Sequence, residues 1–213
     1  MNFEAFLKLV SKIEQLPLPG EVSQLKMSPP FRGNLIDDHK ELMKTSRKAG
    51  VMALFYPDVT AQTKLILILR KTYKGVHSGQ VGFPGGKHEI EDANMKITAL
   101  RETEEEVGVP IKNIKVIKTL TQLYIPPSNF TVHPFLGYAT KTPNFVKQDS
   151  EVEDLIEVSL QDFINDNNVV NTYVTTSYND ETEVPALKLN DFIVWGATAM
   201  MLSELKDLLK QAL

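Results

Sequence analysis

Four glutamates occupy five consecutive positions after Arg101: Glu102, Glu104, Glu105 and Glu106, with Gly108 two residues further on. On a helix advancing about 100° per residue, Glu102, Glu105 and Glu106 fall within an arc of about 100°, whereas Glu104 points away. Like charges so spaced cost a helix about 0.2–0.5 kcal/mol per pair, so the array needs either full solvation or a cation. A hard divalent ion such as Mg²⁺ prefers oxygen ligands and takes one or two carboxylates together with substrate phosphates. The alternative is a solvated acidic face in which Arg101 simply pairs with Glu105 one turn on. Context favours the chemistry: a strand, then Pro84-Gly85-Gly86, then the acids, then Gly108, within a little over 25 residues. Glycines let backbone approach a ligand closely, so the loop and the acids make one site.

Several elements must position that site. Phe3, Phe6, Leu7, Val10 and Ile13 recur at helical spacing over residues 1–16, until Pro17, Pro19 and Gly20 stop the pattern. This amphipathic helix either covers the chain's own core or docks on a second copy, as a homodimer would have it. Residues 22–48 read as a partly helical connection, so that 1–50 form an N-terminal extension to one domain spanning 1–213. Val51–Tyr56 and Leu65–Leu69 are short apolar runs typical of neighbouring buried strands. After the glycine-rich segment 79–86, a helix is expected from about Ala93 to Val107, ended by Gly108 and Pro110. Strand signals return at 114–124 and 131–138, a polar linker covers 140–150, and Asp191–Leu213 reads as one long helix with Trp195 on its apolar side. Strands interleaved with helices predict an α/β chain with helices packed on a mixed sheet.

Composition narrows the function classes. With 42% hydrophobic and 23% charged residues the chain reads as a globular protein, and no apolar run reaches membrane-spanning length. A net charge of −4 with scattered Lys and Arg provides no field for nucleic acid, so a polyanionic substrate needs a local basic group or a metal. The absence of cysteine removes disulfides, thiolate nucleophiles and Cys-type zinc sites. The N-terminus has an acid among its first apolar residues and no basic leader, which makes the cytoplasm the expected location.

Gly86 to Val109 resembles the Nudix box, the loop–helix–loop of hydrolases acting on nucleoside diphosphates linked to another moiety. Its Arg-Glu-x-x-Glu-Glu-x-Gly core stands here as Arg101-Glu102-Thr103-Glu104-Glu105-Glu106-Val107-Gly108. Gly86 lies one residue further from Arg101 than in the commonest form, the upstream acid falls on Asp92 or Glu91, and Thr103 takes the place of an apolar residue. This offset is similar to the subgroup that hydrolyses coenzyme A. That subgroup's upstream signature appears as Leu65 to Arg70 followed by His77-Ser78-Gly79-Gln80-Val81-Gly82-Phe83-Pro84-Gly85-Gly86, although its second Arg is missing where Lys74 and Gly75 stand. Similarity continues through Pro127-Ser128-Asn129-Phe130-Thr131-Val132-His133-Pro134-Phe135, Glu151-Val152 and Ile193–Ala199.

The resemblance implies the Nudix fold, an α/β/α sandwich around a mixed β-sheet, and a Mg²⁺- or Mn²⁺-dependent pyrophosphatase. Glu102, Glu105, Glu106 and the Gly86 backbone are the implied metal ligands. Glu105, Glu106 or Glu151 is the implied catalytic base, Arg101 orders the glutamates, and Gly108 ends their helix. Arg70, His77, Gly85, Asn129 and Phe130 are the substrate-binding candidates. For coenzyme A or acyl-CoA the expected products are 4′-phosphopantetheine and adenosine 3′,5′-bisphosphate. The alternatives are ADP-ribose, dinucleotides or nucleoside triphosphates as substrates, or a non-catalytic nucleotide-binding module, whose degraded acid array is not seen here. A P-loop is rejected because the glycine spacing is short and His88 stands where Ser or Thr should be. No G-x-S-x-G elbow supports a His77–Ser78 triad. His133 reads as a strand residue and Trp195 as core.

Overall fold

A computed structural model of the chain describes residues 1–30, 32, 36–72, 78–175 and 181–213, with only the backbone for 36–40. The candidate His77, with Lys74 and Gly75, lies outside the described residues. In chain order the elements are α1 (Phe3–Gln15), α2 (Glu21–Leu25), α3 (Ile36–Thr45), β1 (Arg47–Pro57), β2 (Thr63–Arg70), β3 (Val81–Gly82), β4 (Gly85–Lys87), α4 (Met95–Val107), β5 (Ile114–Thr119), β6 (Leu123–Ile125), β7 (Phe130–Ala139), β8 (Val152–Ser159), α5 (Leu160–Ile164), β9 (Val169–Val174), β10 (Thr182–Leu189), β11 (Phe192–Trp195) and α6 (Gly196–Ala212).

The main sheet runs β3-β2-β1-β7-β5, with β4 added to β1, β6 to β7 and β8 to β2. Its central pair, β1 with β7, is parallel from Arg47↔Phe130 to Phe55↔Tyr138, and the other pairs are antiparallel, so the sheet is mixed. β1 is a continuous apolar run because both of its faces are covered. Ala49, Val51, Ala53 and Phe55 enter one core with α1 and α6, while Met52, Leu54 and Tyr56 enter a second with α4. That alternation is the expected α/β/α sandwich.

Asn2 caps α1, its Oδ1 accepting from the Glu4 and Ala5 amides at 2.8 and 3.4 Å. Phe6 is fully buried, with its ring 5.1 Å from that of Phe55, and Phe3 stacks on Phe6. Burying such a side chain contributes about 1.5–3 kcal/mol. Of the two readings of this helix, Phe3 and Phe6 therefore serve the chain's own core.

The long C-terminal helix expected over 191–213 is corrected. Phe192-Ile193-Val194-Trp195 are aromatic and β-branched and pair with Ala186–Leu189, and Gly196, at φ 62°, turns the chain into α6. Trp195 is therefore the last strand residue and not part of a helix face. A second sheet, β11-β10-β9, escaped the sequence reading, as did β8. The 114–124 strand signal divides at Leu120–Gln122 into β5 and β6. No helix among the described residues is long and apolar enough to cross a membrane.

Candidate active site

Asn94 starts α4 by accepting the Ile97 amide at 3.1 Å, and Gly108 ends it in the left-handed region at φ 75°, its amide donating to Glu104 at 2.9 Å. The polar linker then satisfies two carbonyls of the last turn: Val146 donates to Val107 at 3.1 Å and Gln148 to Glu106 at 3.0 Å. Thr103 is fully buried at its unusual position because its hydroxyl donates to the Ala99 carbonyl at 2.6 Å. Glu104 is exposed, as the helical arc predicts.

The glycine loop meets the helix through close approach. Gly85, Gly86 and Lys87 pair with Val51, Gly50 and Ala49, which carries the loop along β1 beneath α4. A Cβ at Gly86 would stand 2.4 Å from the Glu102 carboxylate, and one at Gly85 would stand 2.5 Å from the Gly50 carbonyl oxygen. At Gly85 the flanking backbone leaves room for glycine alone, whereas a side chain at Gly86 would push the Glu102 carboxylate aside. The Gly85 amide donates to Glu106 Oε2 at 2.7 Å, and Arg70 Nη2 donates to the Gly85 carbonyl at 2.7 Å while lying 3.6 Å from Glu106 Oε1.

Arg101 orders the other acids. It grips Asp92 with both arms, Nε to Oδ1 at 3.0 Å and Nη2 to Oδ2 at 2.9 Å, and Nη1 reaches Glu102 at 3.0 Å and Glu105 at 3.1 Å. The open choice between Glu91 and Asp92 falls to Asp92, which is buried where Glu91 is exposed. The Arg101 guanidinium holds the Asp92 carboxyl far below the usual carboxylate range, although burial opposes it. Behind them, Thr98 donates to Asp92 at 2.9 Å and shares a 3.0 Å hydrogen bond with His88 Nδ1. The sequence reading missed this support. Its only trace was Thr98 lying one turn before Arg101.

Glu106 is 1% exposed, and its Oε1 has no hydrogen-bond partner among the described residues. Burial pushes its carboxyl up to about 7, against the opposing pull of Arg70 and of the Gly85 amide, with Glu102 and Glu151 adding repulsion. Burial raises Glu102 too, Arg101 opposes, and Glu105 and Glu151 add to the rise. The exposed Glu151 thus bears on both acids. Its backbone is tied in place, its amide donating to Gln148 and its carbonyl accepting from Lys71 at 2.9 Å.

The glutamates share a face but are not drawn together: among the described residues no three acidic or imidazole groups close up as a metal cage. Glu102 and Glu105 lean on Arg101, and Glu106 leans back on the loop. The donor set nevertheless fits a hard cation, since it consists of oxygens and includes a buried carboxylate oxygen with no hydrogen-bond partner among the described residues. Asn129 and Phe130 are engaged elsewhere. Asn129, in the left-handed region at φ 51°, accepts from the Tyr124 hydroxyl at 3.0 Å, and the Arg47 guanidinium lies 4.2 Å above the Phe130 ring.

Comparison with known proteins bears on this geometry. Residues 46–176 match the NUDIX domain model. Proteins named uncharacterized Nudix hydrolase NudL, from Yersinia pestis (strain Pestoides F) and Yersinia pseudotuberculosis serotype O:1b (strain IP 31758), are 30% identical over 190 residues, covering 86% of this chain and 90% of theirs. The fold is similar to that of a MutT/nudix family protein from Enterococcus faecalis, at TM-score 0.51 and 17% identity over 78% of this chain and 61% of that one. With the family model spanning both the glycine loop and the glutamate helix, and relatives matched along most of their length, the chain belongs to the Nudix hydrolase family.

Proposed function

We propose that this Nudix hydrolase cleaves the pyrophosphate of coenzyme A or an acyl-CoA, releasing 4′-phosphopantetheine and adenosine 3′,5′-bisphosphate. The observation that carries the hydrolytic site is Glu106, a buried carboxylate with one oxygen that has no hydrogen-bond partner among the described residues, beside Arg70 and the Gly85 backbone. The one-residue offset in the box and the Gly79–Gly86 signature support the substrate.

Nudix hydrolases generally use divalent metal ions. Here Glu102, Glu105, Glu106 and the Gly86 carbonyl would hold Mg²⁺ or Mn²⁺, which when bound neutralises phosphate charge and acidifies water. Arg70 offers its guanidinium to a phosphate oxygen while its Nη2 keeps the Gly85 carbonyl in place. Arg101, anchored on Asp92, keeps Glu102 and Glu105 oriented by ion pairs. A carboxylate takes the proton of the attacking water. Glu105, Glu106 and Glu151 all qualify, with Glu151 on a backbone fixed beside β2.

Incubation with coenzyme A and Mg²⁺ or Mn²⁺, with products identified by mass, tests this reading. Phosphopantetheine with adenosine bisphosphate is the expected pair. Cleavage of ADP-ribose, a dinucleotide or a nucleoside triphosphate instead would keep the hydrolase and replace the substrate.

A further inference from the structure

Residues 145–151, between β7 and β8, are fastened to the second core and to the end of α4. The Phe145 ring meets that of Tyr56 edge-on, 5.0 Å between centroids at 80°, and the Tyr56 hydroxyl donates in turn to Glu157 of β8. Val146 lies so near Gly108 that a Cβ on the glycine would stand 2.9 Å from both its Cβ and its amide nitrogen. The Val146 and Gln148 amides close the last turn of α4 by donating to the Val107 and Glu106 carbonyls. Gln148 then turns the chain, its carbonyl accepting from the Glu151 amide at 3.1 Å and the Val152 amide at 2.9 Å. A single residue thus joins the backbone of Glu106 to that of Glu151.

The other acids are oriented through their side chains, Glu102 and Glu105 by Arg101 and Glu106 by the Gly85 amide. Glu151 is exposed, and its carboxylate has no ion pair or hydrogen bond among the described residues. Its place is set by its backbone, held by Gln148 on one side and by the Lys71 amide on the other. Its charge nevertheless bears on Glu102 and Glu106. Misplacing a reacting group by about 1 Å costs up to about 10²-fold in rate, so a carboxylate held in this way depends on whatever holds its backbone.

We propose that Phe145, Val146 and Gln148 are positioning residues that fix Glu151 relative to the glutamate array, so that the packing of Phe145 on Tyr56 acts on turnover through Glu151. This rests on the reading of the chain as a hydrolase in which Glu151 takes the proton of the attacking water. Phe145 anchors the segment in the core, Val146 seats it on Gly108, and Gln148 carries the register from the end of α4 to Glu151.

A double-mutant cycle in the full chain tests this, by steady-state kinetics with Mg²⁺ and whichever of coenzyme A, ADP-ribose or ATP the wild type cleaves. Glu151→Gln lowers kcat about 10²-fold, the lower end of what a general base supplies. Phe145→Ala lowers kcat about tenfold with KM within about twofold, and Phe145→Tyr, which keeps the ring, stays near wild type. In Glu151→Gln protein, Phe145→Ala costs nothing further, because the group it acts through is gone. Val146→Gly, at an exposed position, follows the same pattern with a loss of about threefold and carries the cycle where Phe145→Ala fails to fold. In metal-free protein the Glu151 amide exchanges about tenfold faster in Phe145→Ala, whereas the Thr103 amide in the middle of α4 does not. A loss in Phe145→Ala or Val146→Gly that persists in full in Glu151→Gln protein overturns the proposal, since the segment then supports only the fold or α4. So does wild-type kcat in either variant or in Glu151→Gln, or wild-type exchange at Glu151 in Phe145→Ala. Those outcomes leave the hydrolase standing; a wild type that cleaves none of the three nucleotides takes down the proposal and the hydrolase reading together.

Discussion

Glu106 on α4 and Glu204 on α6 are both shut away from solvent, at 1% and 0% exposure, but the chain treats them differently. Glu204 has donors on both oxygens: Gln24 Nε2 at 3.0 Å, the Thr121 hydroxyl at 2.6 Å, and the Gly20 and Thr121 amides at 3.3 Å. It ties the N-terminal segment and the β5–β6 connection to α6. Among the described residues, Glu106 has one hydrogen bond and a guanidinium 3.6 Å away, and one oxygen accepts no hydrogen bond. A carboxylate that only holds the fold together is satisfied from within the protein. One whose partner comes from outside is left incomplete, and the cost of burial shows in its raised pKa.

The largest expected effect breaks the comparison at its functional end. Glu106→Gln keeps an acceptor for the Gly85 amide but removes the charge, so activity drops about 10³-fold while the melting temperature stays within a few degrees, read by steady-state kinetics and thermal melts. Glu204→Ala should do the opposite. It strands the Gln24 and Thr121 donors and costs about 3 kcal/mol in denaturant titration, with kcat nearly unchanged. If both variants lose mainly stability, the distinction fails.

Titration sharpens the contrast. The Glu106 carboxyl is raised from 4.5 to about 7, so its neutral form suits the folded state. The stability this gives is complete below pH 4.5 and is lost as pH rises through about 7, a loss of at most about 3 kcal/mol in metal-free protein. Melts from pH 5 to 8 should show the decline, Glu106→Gln should flatten it, and Mg²⁺ or Mn²⁺ should offset it at pH 8. The smallest effect concerns the support: Asp92→Asn loosens Arg101 and with it Glu102 and Glu105, lowering kcat about tenfold, whereas Glu91→Gln should leave it unchanged.

What could be read in advance follows the range of the signals. The glutamates, Arg101, the glycine loop and Gly108 lie close together in sequence, and β1, β2 and α1 carry strong periodicity, so all were legible. β9 was not, because Val169–Val174 alternates exposed and half-buried residues without an apolar face. α6 was overextended because Phe192–Trp195 continues its apolar run, and only the positive φ of Gly196 separates strand from helix. The choice of Asp92 over Glu91 depended on where Arg101 reaches after folding, which spacing does not encode. The arc rightly put three glutamates on one face, but it could not foresee that Arg101 would hold two of them.

The parallel pairing of β1 with β7 also governs the order in which the protein can form. Arg47 meets Phe130, 83 positions later in the chain, and the glycine loop and acidic helix both lie within that interval. Closing so long a loop is slow compared with forming a helix or hairpin. During synthesis, the segment that holds every glutamate of the array leaves the ribosome before the strand that completes the sheet beneath it. A nascent chain stopped short of residue 130 has all of those acids and no finished floor to hold them.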